Sequence, residues 1–407
     1  MMKLSGKRIL LGVTGSIAAY KSAYLLREFQ KSGASVRVTM SSSATRFVGI
    51  ETFSTLSRHP VAVDLFNDAG KDPSHSWTQH IQWGDWADLF VIAPCTANTL
   101  AKLVHGQSDN MLTSVALAAR CPILICPVMD AEMIHHPAVE RNLELAVEMG
   151  FYILEPESGY LASGLEGTGR LPEPDSILKK SLDIFEVRRK KGPLSKKKVL
   201  VTAGPTREAI DPVRYISNPS SGKMGVAMAE AAHDLGGEVT LLHGPVSIPI
   251  PDTLNALEFR SADDLFQLIQ NHSDSEVVIM SAAVSDFKPI DREEHKIKKE
   301  DSGLTLQLSQ TPDSLAWLGK NKKKDQILIG FAMETENLEK NARKKLKGKN
   351  LDWILANQLN QENSGFESDS NRIVAFGNEE RLEFEGEKRI IAKKILKHIF
   401  SSAGRRK

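Results

Sequence analysis

Arg207, Arg214, Asn218, Ser220, Ser221 and Lys223 crowd one polar stretch between the turn Ala203-Gly204-Pro205-Thr206 and the glycines Gly222 and Gly225. Guanidinium, amide, hydroxyl and ammonium donors at that density suit a phosphate or another anion. An apolar run, 199–202, precedes them and reads as a buried parallel strand; a helical pattern, 226–235, follows. Open α/β sheets bind ligands where their strands end, and a helix N-terminus adds unpaired N–H groups. Composition alone also allows an ordinary polar loop between strand and helix.

The same layout of basic residues, apolar strand and glycine turn opens the chain, in LSGKRILLGVTGSIAAYK. Gly12, Gly15 and Ser16 fall at the turn, and 17–30 has helical spacing. Glycines there let backbone N–H groups approach a phosphate closely, although such turns are common in α/β proteins without a nucleotide. A second strand, Ser35–Met40, ends in Ser41-Ser42-Ser43, and a third, 89–93, ends in Pro94-Cys95-Thr96-Ala97-Asn98. A fourth, 122–126, leads to Asp130. Farther along, strands at 199–202, 238–242, Val277–Met280 and 327–331 alternate with helical segments, which predicts a second doubly wound sheet.

The elements that position these residues fall into two domains. A chain of 407 residues exceeds one ordinary core. Gly192-Pro193 and the lysines after it place the expected boundary near 190, with the basic run read as solvated linker. Lys and Arg (52) nearly cancel Asp and Glu (51), which leaves no global field to hold nucleic acid or an anionic membrane. Cys95, Cys121 and Cys126 each lie in or beside an apolar run, as expected of reduced thiols in a cytoplasmic protein. The first residues lack the long apolar region of a signal peptide, and no run approaches a membrane span. The adjacent His135 and His136 point apart, which argues against a metal pair. An NAD-linked reductase fits poorly, because G-x-G-x-x-G with a downstream acid is absent.

The string 198–225 resembles the phosphopantothenate-cysteine ligase half of the bifunctional coenzyme A biosynthesis flavoproteins. The first-domain turns resemble the flavin-binding cysteine decarboxylases, and together the resemblances span nearly all of residues 7–400. They imply a flavodoxin-like FMN domain over 1–190 and a Rossmann-like, CTP-dependent ligase domain over 191–407. FMN would be held by Gly15, Ser16, Ile17, Ser41, Thr96, Ala97, Asn98 and Thr113, with Asp109 and Asn110 on a further wall. His80 matches the family spacing of a catalytic histidine; on chemistry alone His75 is an equal candidate. Asp130 stands where the family has an asparagine for the substrate carboxylate. An ionised aspartate would repel that group, so Asp130 is protonated, bridged by a cation, or otherwise employed. Ser163 replaces a cysteine that reprotonates the intermediate. A hydroxyl is a far weaker acid than a thiol of pKa about 8.5, which leaves Ser163 a relay from water. Gly159, Gly164, Gly167 and Gly169 around it look like a lid.

In the ligase half the resemblance assigns Lys296, Lys345 and Lys349 to a triphosphate bridged by Mg²⁺. It assigns Asp286 and Phe331 to the cytidine, and Asn218, Arg214 and Ala283 to the phosphopantothenoyl group, while Pro312 and Asp313 complete the set. Lys345 and Lys349 are expected on one helix face. The implied reactions are activation of 4'-phosphopantothenate as an acyl-cytidylate, displacement of CMP by cysteine, and FMN-dependent decarboxylation to 4'-phosphopantetheine. The alternative, motivated by Asp130 and Ser163, is a ligase fused to a flavin-binding assembly module without decarboxylase activity. Trimeric flavin domains and dimeric ligase halves in the family imply a homo-oligomer, up to a dodecamer.

Overall fold

Leu89, Val91 and Ala93 pack on one face of their strand, and Phe90, Ile92 and Cys95 on the other. That double-sided burial is what a parallel sheet covered by helices on both faces requires. The computed structural model describes residues 4–65, 78–298, 304–334, 337–358 and 368–402. His75 lies outside the described residues.

In the first unit the strands β1 (Arg8–Val13), β2 (Ser35–Met40), β3 (Leu89–Cys95), β4 (Ile123–Pro127) and β5 (Tyr152–Ile153) form a parallel sheet in the order β2-β1-β3-β4-β5. This is the flavodoxin-like order, whose switch point lies between β1 and β3. Leu25, Leu26 and Phe29 of the helix Ala19–Lys31 cover one face, and Leu100, Leu103 and Val115 of the helices Ala97–Val104 and Met111–Ala118 cover the other. Each such side chain, fully buried, contributes about 1.5–3 kcal/mol. The glycine-rich flap is a hairpin of β6 (Glu157–Tyr160) and β7 (Glu166–Arg170), paired antiparallel.

In the second unit β8 (Lys198–Ala203) is central, followed by the short antiparallel pair β9 (Arg207–Ala209) and β10 (Tyr215–Ser217). The main sheet adds β11 (Glu238–His243), β12 (Asn255–Glu258), β13 (Val277–Met280), β16 (Ile327–Glu334), β17 (Trp353–Gln358), β18 (Ser370–Phe376) and β19 (Arg381–Glu387). Its order is β12-β11-β8-β13-β16-β17-β18-β19, with β14 (Phe287–Pro289) and β15 (Leu308–Gln310) forming a separate pair. The first six strands are parallel in the Rossmann order; β18 pairs antiparallel with β17, and β19 antiparallel with β18. Val226 and Ala229 of the helix Lys223–Asp234 and Ile391 and Ile395 of the helix Lys388–Ser402 bury one face; Leu265, Leu318 and Leu346 bury the other.

The chain divides at Met1–Glu186 and Val187–Lys407, inside the helix Pro174–Lys190 and a few residues before the expected break. The reason is that residues beyond the helix belong to the second core. Leu194 is fully buried and its N–H donates to the Leu235 carbonyl at 3.0 Å, so the stretch read as solvated linker is anchored.

Candidate functional site

In the first unit, the turns after β1, β2 and β3 converge as the switch point demands. Thr14, fully buried, ties two of them: its hydroxyl donates to the Pro94 carbonyl at 2.8 Å and accepts from the Thr96 N–H at 3.1 Å. A Cβ on Gly15 would stand 2.5 Å from Ser43 Cβ, so only glycine lets these turns meet. Thr96 caps the helix Ala97–Val104 and Asn110 caps Met111–Ala118, each accepting a backbone N–H through its side chain. Between them opens a cleft of about 560 Å³, whose walls include Gly15, Ser16, Ser41, Thr96, Ala97 and Asn98. The Ser41 hydroxyl oxygen is buried there with no hydrogen-bond partner among the described residues. A buried, unpartnered hydroxyl on a residue of the cleft wall at this switch point fits a bound FMN, as do the hydroxyl donors and the helix starts around it.

Six of the eight expected flavin residues line this cleft. Ile17 is 62% exposed outside it, and Thr113 is buried behind the wall, its hydroxyl donating to the Asn110 carbonyl at 3.2 Å. Asp109 and Asn110 line the cleft as expected, and Lys102, Met129 and Met133 join them unanticipated. The Lys102 ammonium beside Asp109 holds its carboxyl below the usual carboxylate range.

His80, on the helix Gln79–Trp86, and Ser163, exposed in the turn between β6 and β7, do not line the cleft. The hairpin nonetheless reaches the cleft's edge. The Met129 N–H donates to the Gly169 carbonyl at 3.3 Å, and a Cβ on Gly169 would strike the Met129 carbonyl oxygen. Asp130 is the N-cap of the helix Ala131–Ile134, where Oδ1 accepts from the Glu132 N–H at 3.5 Å.

In the second unit, β8 and β13 are bridged past their ends. The Thr202 hydroxyl accepts from the Ser281 and Ala282 N–H groups, both at 3.0 Å, and the Ala283 N–H donates to the Gly204 carbonyl at 2.9 Å. Asn218 is exposed, and its Nδ2 donates to the Val284 carbonyl at 2.9 Å, which places its amide beside Ala283 and Asp286 in the chain. The Thr311 N–H donates to the Asp286 carbonyl at 3.1 Å, which carries the network to Pro312 and Asp313. Asp313 caps the helix Ser314–Lys320 and pairs with Lys349 at 2.8 Å, while Lys345 Nζ donates to the Phe331 carbonyl at 3.1 Å. Burial would raise the Asp313 carboxyl, but the hydrogen bond from Lys349, the Ala316 N–H and the nearby Lys345 hold it below the usual range.

The residues 218, 283, 286, 312, 313, 331, 345 and 349 thus lie along one connected rim. Lys349 falls just past the helix Leu338–Gly348 rather than within it, because the helix stops at Gly348; its N–H still donates to the Lys345 carbonyl at 3.0 Å. A cavity of the unit, about 470 Å³, takes only Asn218 from this set. Its other walls include Arg207, Tyr215, Ser217, Ser220, Val246 and Ser247. The Arg207 guanidinium stacks on Tyr215 at 4.6 Å, held there by the pairing of β9 with β10. Arg214 and Lys296 stand away from the cavity on segments joined through Asp211. Burial of Asp211 opposes its ionisation, yet the Val213, Arg214 and Ile297 N–H groups and the Arg214 charge keep its carboxyl below the usual range.

A flavodoxin-order unit with a hydroxyl-lined cleft and a Rossmann-order unit with a polar cavity past the end of β8 define a flavoprotein fused to a nucleotide-type α/β domain. Residues 2–185 match the family model described as Flavoprotein, and residues 194–402 match that of the DNA/pantothenate metabolism flavoprotein C-terminal domain. The coenzyme A biosynthesis bifunctional protein CoaBC of Bacillus subtilis (strain 168) is 47% identical over 375 residues, 92% of this chain and 91% of that protein. A cysteine/cysteine sulfinic acid decarboxylase from an unknown prokaryotic organism is 44% identical over 327 residues, 79% of this chain and 90% of that one. The crystal structure of the C-terminal domain of a CoaBC protein is 38% identical and covers 53% of this chain and 99% of its own, with a TM-score of 0.45. The chain belongs to the family of CoaBC bifunctional proteins of coenzyme A biosynthesis.

Proposed function

We propose that the second unit joins 4'-phosphopantothenate to cysteine at the expense of CTP, and that the first unit decarboxylates the product to 4'-phosphopantetheine. The observation that carries this reading is the connected rim from Asn218 to Lys349, beside a cavity at the end of β8. A carboxylate is unreactive toward an amine until it is activated. Lys296, Lys345 and Lys349 hold the triphosphate, and charge neutralisation there favours transfer of the cytidylyl group to the carboxylate with loss of pyrophosphate. Asp286 and Phe331 hold the cytidine, with Pro312 and Asp313 beside it. Arg214 and Ala283 face the phosphopantothenoyl group, and Asn218 orients the acyl-cytidylate while the cysteine amine displaces CMP. Among the described residues no cluster of three or more His, Cys, Asp or Glu side chains is set to hold a metal; Mg²⁺ enters bound to the triphosphate.

Gly15, Ser16, Ser41, Thr96, Ala97 and Asn98 hold FMN, which when bound takes two electrons from the thiol end of the substrate and later returns them. His80, which does not line the cleft, is assigned as the base near that thiol on its match to the family spacing. Ser163, on the hairpin that touches Met129, relays a proton from water once CO2 has left. A homo-oligomer, up to a dodecamer, in the cytoplasm is the proposed state. Among the described residues no helix is long and apolar enough to cross a membrane.

The second reading, a flavin-binding module without decarboxylation, is favoured by Ser163 lying exposed and Asp130 being occupied as a helix cap. Supplying phosphopantothenoylcysteine to the purified flavin-loaded chain separates the two. Release of CO2 supports decarboxylation; a yellow protein that releases none supports the module.

A further inference from the structure

Asp211 is 2% exposed, and its carboxylate gathers four donors. Oδ1 accepts from the Val213 N–H at 2.7 Å and the Arg214 N–H at 2.8 Å. Oδ2 accepts from Arg214 Nη1 at 3.1 Å and from the Ile297 N–H at 3.1 Å, and the same Nη1 donates to the Ile297 carbonyl at 3.2 Å. A second clamp runs alongside it, because the Glu293 N–H donates to the Ile210 carbonyl at 3.0 Å and the Ile210 N–H to the Arg214 carbonyl at 2.9 Å. The two Oδ1 bonds are what an aspartate gives to any tight turn. The Oδ2 bonds do more, since they fix a side chain and a segment 86 residues farther along the chain. Ile297 directly follows Lys296.

We infer that Asp211 is a positioning residue that sets the Arg214 guanidinium and the backbone carrying Lys296 in one register, coupling recognition of the acyl substrate to recognition of the triphosphate. It touches neither substrate. The inference rests on the proposed roles of Arg214 and Lys296 in the ligase step. Asparagine at 211 separates the turn from the clamp. Its carbonyl oxygen still accepts from Val213 and Arg214, but its NH₂ faces the Arg214 guanidinium and the Ile297 N–H, which are donors themselves. The turn survives and the clamp opens.

The experiment is a double-mutant cycle in the full chain, reading CTP-dependent pyrophosphate release with 4'-phosphopantothenate and cysteine. Arg214→Lys, Lys296→Gln and their combination are compared with and without Asp211→Asn. With Asp211 in place, the combined loss in kcat/KM should differ from the product of the single losses by about tenfold; in Asp211→Asn it should match that product within about twofold. Asp211→Asn alone should raise KM for both CTP and phosphopantothenate by about tenfold, with kcat within about threefold, and leave CO2 release from supplied phosphopantothenoylcysteine unchanged. Independent effects with Asp211 in place overturn the inference, and that arm decides the matter even if Asp211→Asn fails to fold. Single variants that leave both KM values unaltered overturn the ligase reading beneath it.

Discussion

Ser41 carries the clearest local sign of a missing partner, a buried hydroxyl that bonds to nothing among the described residues. Removing it with Ser41→Ala breaks no bond among the described residues, so the melting temperature should hold while FMN affinity falls about fivefold to tenfold, as loss of one hydrogen bond implies. Fluorescence titration checks this, and unchanged affinity would show that the hydroxyl does not face the flavin. Cys95 is equally specific. Burial pushes its thiol from 9.0 up to about 12 and raises Cys126 as well. The unfolded chain gives up these protons near pH 9 while the folded chain keeps them, so stability is whole below that pH and declines as pH climbs toward 12. Thiol labelling at pH 8 should reach Cys121 in the native protein and all three cysteines only after unfolding; early labelling of Cys95 would contradict this. The residues at the strand ends were legible in the sequence because glycine, serine and threonine after an apolar run mark a turn. Lys102, Met129 and Met133 were not, because they enter the cleft from a helix interior and from beyond β4, where no residue type signals a ligand wall.

The elements explain why the glycines fall where they do. Gly225 lies in the first turns of the helix Lys223–Asp234, and a Cβ there would meet Ala203 Cβ at 2.5 Å and the Thr202 carbonyl oxygen at 2.9 Å. Helix and strand are in contact, so Gly225→Ala should cost about 1–3 kcal/mol through overpacking. The urea midpoint of the second unit should fall, and an unchanged midpoint would mean that the helix is free to shift. The sequence pattern placed this helix at 226–235, and the structure starts it at Lys223. Gly222 adopts a left-handed conformation at the cap, φ 74°, which ends the loop sooner than apolar periodicity alone suggests. The central strands β1 to β4, β8, β11, β13 and β16 were legible to within a few residues because burial writes a continuous apolar run; β5, β12, β17, β18 and β19 were not read, and β12 and β19, without a fully buried residue, write no such run. The hairpin β6–β7 was read as a glycine-rich flap, because its exposed residues carry no alternation to mark a strand. The cavity beside β8 was legible in part, because Arg207, Asn218 and Ser220 stand in the polar stretch after that strand; Tyr215 of β10 and Val246 were not, since only the fold brings them to it.

At the scale of the whole chain, each unit holds its own sheet and its own cleft, and the two proposed reactions draw on separate sets of side chains. Damage to one set should therefore spare the other. The most direct measurement gives the full chain 4'-phosphopantothenate, cysteine and CTP, and follows pyrophosphate and CO2 together in the natural sequence, in His80→Ala and in Asn218→Asp. The natural chain is expected to release both. His80→Ala should release pyrophosphate at the normal rate with CO2 lost, and Asn218→Asp should slow formation of the cysteine adduct while still releasing CO2 from adduct supplied directly. Loss of both products in His80→Ala, or full adduct formation by Asn218→Asp, would contradict the assignment of the two steps to two sites.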